Sequence, residues 1–198
     1  MLKRLDRGAG VLLPISSLPS PYGIGTMGRE AYKFTDELVK AGQKYWQVLP
    51  VGPTGYGDSP YQSFSAFAGN PYFIDLDGLI KDELLKPEEV EGISWFVTEE
   101  YVEYQTLYEN RFPLLRKAFK RWKKKKAGGY QKFVKENSFW LEDYALFMAC
   151  KDKKNGRHGM MILRTVNRKR WTDTGKNWKM RWISGSSCSS VSLRNGTN

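Results

Sequence analysis

The sequence is poor in cysteine and lacks long hydrophobic runs. Its two cysteines, Cys150 and Cys188, lie far apart and match no metal-binding or redox spacing. No apolar stretch is long enough to span a membrane, and residues 1–7 lack the hydrophobic segment of a secretory signal peptide. We therefore expect a soluble protein of the reducing cytoplasm, with no metal site and no membrane partner.

Acidic residues are also scarce relative to basic ones, 21 against 32, which gives a net charge of +11. Residues 158–198 hold eight Lys or Arg and one Asp, a net charge of +7, so residues 1–157 carry only +4. The other basic run, Lys117–Lys126, lies on a predicted helix, where a solvated face is the usual explanation. Because no nucleic-acid-binding motif accompanies these charges, we expect no nucleic-acid partner.

What the sequence does contain is a long loop rich in Gly, Pro, Ser and Asp, over residues 50–72, that follows an apolar segment. Gly and Pro restrict the backbone to particular paths, so this loop is predicted to have a fixed shape. Three tyrosines, Tyr56, Tyr61 and Tyr72, are spaced along it. Aromatic faces among hydroxyls and a carboxylate suit a sugar ring; the alternative is that the tyrosines pack within their own domain.

The first part of the chain predicts a strand–helix–strand unit. Residues 10–15 and 45–50 are short apolar segments typical of buried strands. Between them, residues 28–41 have apolar positions at helical spacing, and Gly42 stands where a helix would end. A crossover helix joins parallel strands, so the two strands are expected to pair in parallel. Residues 73–76 are predicted to be extended, with a turn at Asp77 and Gly78.

From residue 86 to about residue 151 the pattern becomes helical. Acidic helix starts are predicted at residues 87–89 and 98–100. Two apolar stripes, most simply explained as core, comprise Phe112, Leu115, Phe119 and Trp122, and then Phe139, Tyr144, Phe147 and Met148. The expected organisation is a βα region over residues 1–85, a helical insertion over 86–157 and a separate tail over 158–198.

Three motifs resemble those of the bacterial 4-alpha-glucanotransferases (amylomaltases or disproportionating enzymes, glycoside hydrolase family 77). They are Leu13-Pro14-Ile15-Ser16-Ser17-Leu18-Pro19, Tyr22-Gly23-Ile24-Gly25, and the long Gly52-Pro53-Thr54-Gly55-Tyr56-Gly57-Asp58-Ser59-Pro60-Tyr61-Gln62-Ser63. The resemblance covers residues 1 to about 157. It implies an α/β fold, the N-terminal portion of a (β/α)8 TIM barrel, on which residues 86–157 form a helical insertion.

The resemblance also implies an activity, the transfer of α-1,4-glucan segments between maltooligosaccharides, without a metal or organic cofactor. Retaining glycoside chemistry uses a nucleophilic carboxylate and an acid/base carboxyl about 5–5.5 Å apart. In the family these carboxylates lie further along the barrel than this sequence extends, and no residue here matches them. We therefore assign no catalytic residue and expect the chain alone to be inactive.

The resemblance places several loop residues at the substrate. Tyr61 and Ser59 match family positions on the donor side of the active centre, and Tyr56 matches a tyrosine of a secondary glucan-binding groove. Tyr104 is the expected partner of Tyr56. Asp58 is a candidate for binding sugar hydroxyls, although a structural role in the turn is equally consistent with its position.

The resemblance stops after Arg157. If the chain is read in another frame from about His158, the adjacent codons of Met160 and Met161 force an Asp, and residues 158–169 can encode Trp-Asp-Asp-Asp-x-x-Asp-Arg-Lys-Pro-Glu, which the family has at this point. We therefore expect residues 158–198 to be translated out of frame and disordered, with no selected role for Arg164, Lys169 or Trp171. The alternatives are a genuine divergent tail and, for function, a non-catalytic glucan-binding protein.

Overall fold

The computed structural model of the protein describes residues 7–55, 57–98, 100–125 and 129–153. Its elements, in chain order, are β1 (Gly10–Leu12), α1 (Arg29–Lys40), β2 (Tyr45–Gln47), α2 (Leu76–Lys81), α3 (Glu88–Glu91), α4 (Tyr104–Lys124), α5 (Tyr130–Glu136) and α6 (Ser138–Lys153). Two single 3-10 turns, Ile15–Ser17 and Pro71–Phe73, complete them. The expectations for residues 158–198 and for Cys188 lie outside the described residues.

The predicted strand–helix–strand unit is confirmed. β1 and β2 pair in parallel, with Val11 opposite Trp46. The ring of Phe34, on α1, contacts that of Trp46 edge to face at a centroid distance of 5.0 Å. The indole nitrogen of Trp46 donates a hydrogen bond to the Leu13 carbonyl at 2.9 Å. One face of the strand pair is therefore covered by the helix that connects the two strands.

The prediction that both β1 and β2 are buried strands is wrong. Each strand is three residues long, and 56% of the Leu12 surface is exposed. Leu12 and its partner Gln47 point away from the side that α1 covers, because side chains alternate along a strand. Gln47 is exposed as well, although parallel sheets are normally covered on both faces.

Helix α1 ends where the sequence predicts. Gly42 has φ +68°, a conformation that glycine adopts without steric cost. Its N–H donates to Val39 O at 3.0 Å, and Gln43 N–H donates to Leu38 O at 2.9 Å, the two bonds of a Schellman motif. The chain reverses here and enters β2 directly.

The core lies between the loop after β1, helix α2 and helix α4. Its most deeply buried residues come from both sides of the predicted boundary at residue 85: Ile74, Leu76, Leu79, Val90 and Leu107. The apolar stripe predicted on α4 is confirmed, since Leu115 and Phe119 are buried and Phe112 and Trp122 pack against the core. In α6, Tyr144 is buried, but Phe139 is 69% exposed, so the second stripe is only partly core.

Two predictions about helix boundaries are wrong. Residues 76–81 form α2 rather than a turn after an extended segment, because the Asp75 carboxylate accepts the Gly78 N–H at 3.0 Å and caps the helix. Helix α4 begins at Tyr104 and not at residues 98–100. The predicted start at residues 87–89 is confirmed by α3, which follows Pro87.

Arg111 is a charged side chain within the core. It is completely buried on α4, and its Nη2 donates a hydrogen bond to Ile74 O. Within the described residues, Nε and Nη1 have no hydrogen-bond partner. Burial lowers the pKa of Arg111 to about 10, and the nearby Asp75 carboxylate opposes that fall. The guanidinium therefore links α4 to the segment immediately before α2.

Candidate functional site

The loop that follows β2 closes on itself. The Asn70 N–H donates to Val51 O at 2.8 Å, and the Asn70 side chain accepts the Tyr72 N–H at 3.0 Å. A Cβ on Gly52 would lie 2.3 Å from the Ser63 hydroxyl oxygen, so the two arms of the loop touch where only glycine fits. These contacts support the interpretation that the loop has a fixed shape.

Asp58 occupies the sharpest turn of the loop. Its φ of +52° is unusual for a residue other than glycine, and it follows Gly57 at φ +92°. Its N–H donates to Gly55 O at 3.1 Å. Burial raises the pKa of the Asp58 carboxyl, while the Thr54 hydroxyl lowers it. The carboxylate is thus partly withdrawn from water.

The charge of Asp58 acts on two tyrosines, the buried Tyr72 and the half-buried Tyr104. The rings of Tyr72 and Tyr104 meet edge to face at a centroid distance of 5.7 Å. Burial raises the pKa of both phenols, and the charge of Asp58 raises both further. Tyr72 thus contacts Tyr104 of α4, and the charge of Asp58 acts on both of their phenols.

The remaining site residues are placed differently. Tyr61 is 73% exposed and presents its ring to solvent, whereas Ser59 is half-buried and its carbonyl accepts the Gln62 N–H at 3.1 Å. Tyr56 lies outside the described residues. The expected pairing of Tyr104 with Tyr56 stays a prediction.

Sequence reasoning missed a pocket beside the residues that begin α2. A pocket of about 300 Å³ is lined by the residues Pro19, Ser20, Pro21, Tyr22, Thr26, Arg29, Glu30, Asp75 and Asp77. The hydroxyl of Tyr22 donates to Asp77, and that of Thr26 donates to Asp75 at 3.3 Å. The only sequence signal was the position of Asp75 three residues before Gly78, which is a helix N-cap spacing.

The two aspartates of this pocket are held by the fold. Asp75 already accepts the Gly78 amide and the Thr26 hydroxyl, and Asp77 already accepts the Tyr22 hydroxyl. Carboxylates committed in this way are poorly suited to act as an acid/base pair on a substrate. Among the described residues, no three His, Cys, Asp or Glu side chains gather into a possible metal site. None of the described helices is long and apolar enough to cross a membrane.

Comparison with known proteins identifies the family. A sequence profile of the 4-alpha-glucanotransferases of glycoside hydrolase family 77 matches residues 13–181. The chain is 53% identical to the 4-alpha-glucanotransferase of Clostridium butyricum over 141 residues, which is 71% of this chain and 29% of that one. It is 49% identical to the Thermus thermophilus 4-alpha-glucanotransferase over 159 residues, which is 78% of this chain and 30% of that one.

The amylomaltase of Streptococcus agalactiae, solved in complex with acarbose, has a similar structure. The TM-score is 0.85 at 35% identity, over 96% of this chain and 39% of that one. The chain therefore belongs to the 4-alpha-glucanotransferase family, as its motifs predicted. The profile match continues to residue 181, past the predicted end of the resemblance at Arg157. The chain spans about 30% of the length of the curated relatives it matches.

Proposed function

We propose that this chain is the substrate-contacting N-terminal portion of a 4-alpha-glucanotransferase, acting in the cytoplasm on α-1,4-glucans and maltooligosaccharides. Its strand–helix–strand unit would be the first part of a (β/α)8 barrel. Family membership carries the proposal, and the loop geometry supports it. In such barrels, the loops that follow the strands form the active site, and the loop over residues 51–70 directly follows β2.

The candidate site residues have separate roles. Tyr61 is the exposed wall on which a glucosyl ring stacks, and the hydroxyl of Ser59 donates to or accepts from sugar hydroxyls on the donor side. Tyr104, with Tyr56, forms the secondary groove. Asp58 acts as a structural residue that holds the turn, because its backbone is in the left-handed region and its charge raises the pKa of Tyr72 and Tyr104.

We assign the two catalytic carboxylates to the part of the relatives that this chain does not match. Retention of configuration needs a nucleophilic carboxylate and a second carboxyl that protonates the leaving group and then activates the acceptor. No described carboxylate is proposed for either role, and no cofactor is invoked. A second candidate function, glucan binding without turnover, rests on the same exposed ring of Tyr61 and needs no carboxylate pair.

Calorimetric titration of the 198-residue chain with maltoheptaose tests the binding role. Tyr61→Ala should raise Kd about tenfold, equivalent to ~1.4 kcal/mol. The matched control is Tyr32→Ala on α1, which should leave Kd unchanged. Equal affinities for the two variants would contradict the role of Tyr61.

A turnover assay with maltotriose tests where the catalytic groups lie. The purified chain should release glucose at the background rate, because it holds no carboxylate pair assigned to the reaction. A rate above background would show that the catalytic groups lie within this chain, and it would overturn their assignment to the unmatched part of the relatives.

A further inference from the structure

The pocket beside the start of α2 offers both acceptors and donors of hydrogen bonds. It measures about 300 Å³, and none of the described residues of the loop after β2 lines it. Its lining includes the carboxylates of Glu30, Asp75 and Asp77 and the side chain of Arg29, which is 87% exposed. A carboxylate accepts hydrogen bonds, and a guanidinium donates up to five. This set matches a ligand whose hydroxyl groups both donate and accept.

The pocket has an apolar lining as well. The rings of Pro19, Pro21 and Tyr22 contribute to its surface. The Tyr22 ring is held in place, because it meets Trp95 edge to face at a centroid distance of 5.9 Å and its hydroxyl donates to Asp77. Ligand pockets commonly combine apolar surface with a few placed polar groups. A sugar ring presents both kinds of surface, C–H groups on its faces and hydroxyl groups around its edge.

Contacts within the loop after β1 hold the pocket in shape. The hydroxyl oxygen of Ser20 accepts the Tyr22 N–H at 3.1 Å. The Met27 N–H donates to Phe73 O at 3.0 Å, which joins this loop to the 3-10 turn before α2. Because these contacts are present without a ligand, binding requires little ordering of the protein.

The charges around the pocket are balanced. Glu30 forms ion pairs with Arg29 at 3.2 Å and with Lys33 at 3.6 Å. Burial raises the pKa of the Asp75 carboxyl, and the charge of the buried Arg111 opposes that rise. With the third carboxylate of the pocket, three negative charges lie near three positive ones. Since no negative charge is in excess, the pocket suits a neutral ligand better than an amine or a metal ion.

We propose that this pocket binds one glucosyl unit, either free glucose or the end of an α-glucan. Its volume lies at the lower end of the range for ligand sites, which suits one ring and not a run of several. Tyr104 does not line it, so it is separate from the groove proposed for Tyr56 and Tyr104. The mixed lining and the balanced charge favour a sugar, and the choice of glucose among sugars rests on the proposed function.

An NMR titration of the 198-residue chain, labelled with ¹³Cζ-tyrosine, tests the proposal. Tyr22→Phe and Tyr61→Phe assign the two resonances that matter. Glucose should move the Tyr22 resonance to saturation, with a Kd in the millimolar range that is expected for so small a ligand. If maltoheptaose moves it as well, the pocket accepts a chain end; if only glucose does, the ligand is the free sugar.

Two outcomes of this titration would overturn the proposal. The first is a Tyr22 resonance that responds to neither sugar. The second is a stronger response to the diamine putrescine than to glucose, which would make the pocket a cation site.

Two exposed lining residues allow a test by substitution. Arg29→Ala removes a donor and should raise the Kd for glucose about fivefold, the usual effect of one lost hydrogen bond. The matched control is Lys40→Ala, at the other end of α1, where Lys40 pairs with Glu37 as Arg29 pairs with Glu30. The control should leave the Kd unchanged.

Asp77→Asn keeps an acceptor for the Tyr22 hydroxyl but removes the charge that strengthens a hydrogen bond from a sugar. It should also raise the Kd about fivefold, whereas Asp82→Asn, at the exposed end of α2, should not. An unchanged Kd in both Arg29→Ala and Asp77→Asn would contradict the assignment of the pocket.

The Tyr61→Ala variant separates this inference from the proposed function. Its Tyr22 resonance should respond to glucose as before, and loss of that response would overturn the proposal of a separate site. A response at Tyr22 without any response of Tyr61 to maltoheptaose supports the pocket and contradicts the proposed role of the loop. A response at Tyr61 with none at Tyr22 has the opposite meaning.

Discussion

Tyr72 and Tyr104 meet edge to face with ring centroids 5.7 Å apart and planes at 63°, and the charge of Asp58 raises the pKa of both phenols. Tyr72 belongs to the 3-10 turn after the loop, and Tyr104 is the first residue of α4. The contact therefore couples the shape of the candidate glucan-binding loop to the helical part of the protein. Asp58, whose charge acts on both rings, can therefore affect glucan binding without touching the ligand.

Asp58→Asn should lower the pKa of Tyr104 and Tyr72. The substitution removes the negative charge that disfavours the phenolate, and asparagine tolerates the left-handed backbone that Asp58 adopts at φ +52°. The pKa of each phenol should stay above 10, because burial is the larger cause and is unchanged. Titration of ¹³Cζ-labelled tyrosines by NMR measures the shift. Asp36→Asn on exposed α1 is the control, and an equal response to both substitutions would place Asp58 away from the phenols.

Gly28→Ala should destabilise the fold by ~2 kcal/mol, the usual cost of inserting a methyl group into packed structure. A Cβ at Gly28 would lie 2.4 Å from Cγ of Asp75, whose carboxylate is fixed by the Gly78 amide and the Thr26 hydroxyl. Gly92→Ala is the matched control, because nothing lies within 4 Å of its Cβ position. Urea unfolding of the two variants gives the comparison, and similar free energies of unfolding would contradict the predicted clash.

The ion pair between Glu89 and Arg121 should make stability depend on pH in the acid range. Arg121 donates to both carboxylate oxygens, and with the Lys86 N–H it lowers the pKa of Glu89 to about 2. Because the pKa is depressed in the folded state, the stabilisation is complete above the unfolded pKa of about 4.3 and is lost as the pH falls towards 2.

Glu89→Gln should therefore lower the free energy of unfolding at pH 7 by about 1 kcal/mol, a value reduced for the partial exposure of the pair. The difference from the unchanged protein should shrink between pH 4.3 and pH 2. Urea melts across this range measure it, with Glu88→Gln as the neighbouring control. A difference that stays constant with pH would mean that the carboxylate charge is not the cause.

Resequencing of the coding DNA across codons 150–200 should reveal one inserted or deleted base near codon 158. Its correction should give Trp-Asp-Asp-Asp followed by Arg-Lys-Pro-Glu, the reading that the codons of Met160 and Met161 allow. A frame that stands as written would instead favour a divergent tail. The result bears on residues 158–198 and leaves the contacts of the loop after β2 unchanged.

The sequence alone was sufficient for the features that depend on local chemistry. Helix α1 was predicted from its periodicity and from Gly42, since a left-handed cap is a property of a few adjacent residues. Parallel pairing of β1 and β2 followed from the helix between them. The family followed from a long motif of Gly, Pro and Tyr residues, and the sequence profile confirmed it.

Features set by distant parts of the chain were not predictable. The start of α2 was a local signal that the sequence prediction missed, the Asp75 carboxylate capping the Gly78 amide three residues on. Arg111 interrupts an apolar stripe, where a long cation usually extends to water. Its complete burial depends on the Ile74 carbonyl, 37 residues away.

The sequence by itself determined helix α1, the shaped loop and the family of this protein, because these depend on neighbours within a few residues. The tertiary structure decided that Tyr72 contacts Tyr104, that Tyr61 faces solvent, and that Leu12, Phe67 and Phe139 stay exposed. Burial is a property of what packs against a side chain from elsewhere in the chain, and no local pattern specifies it.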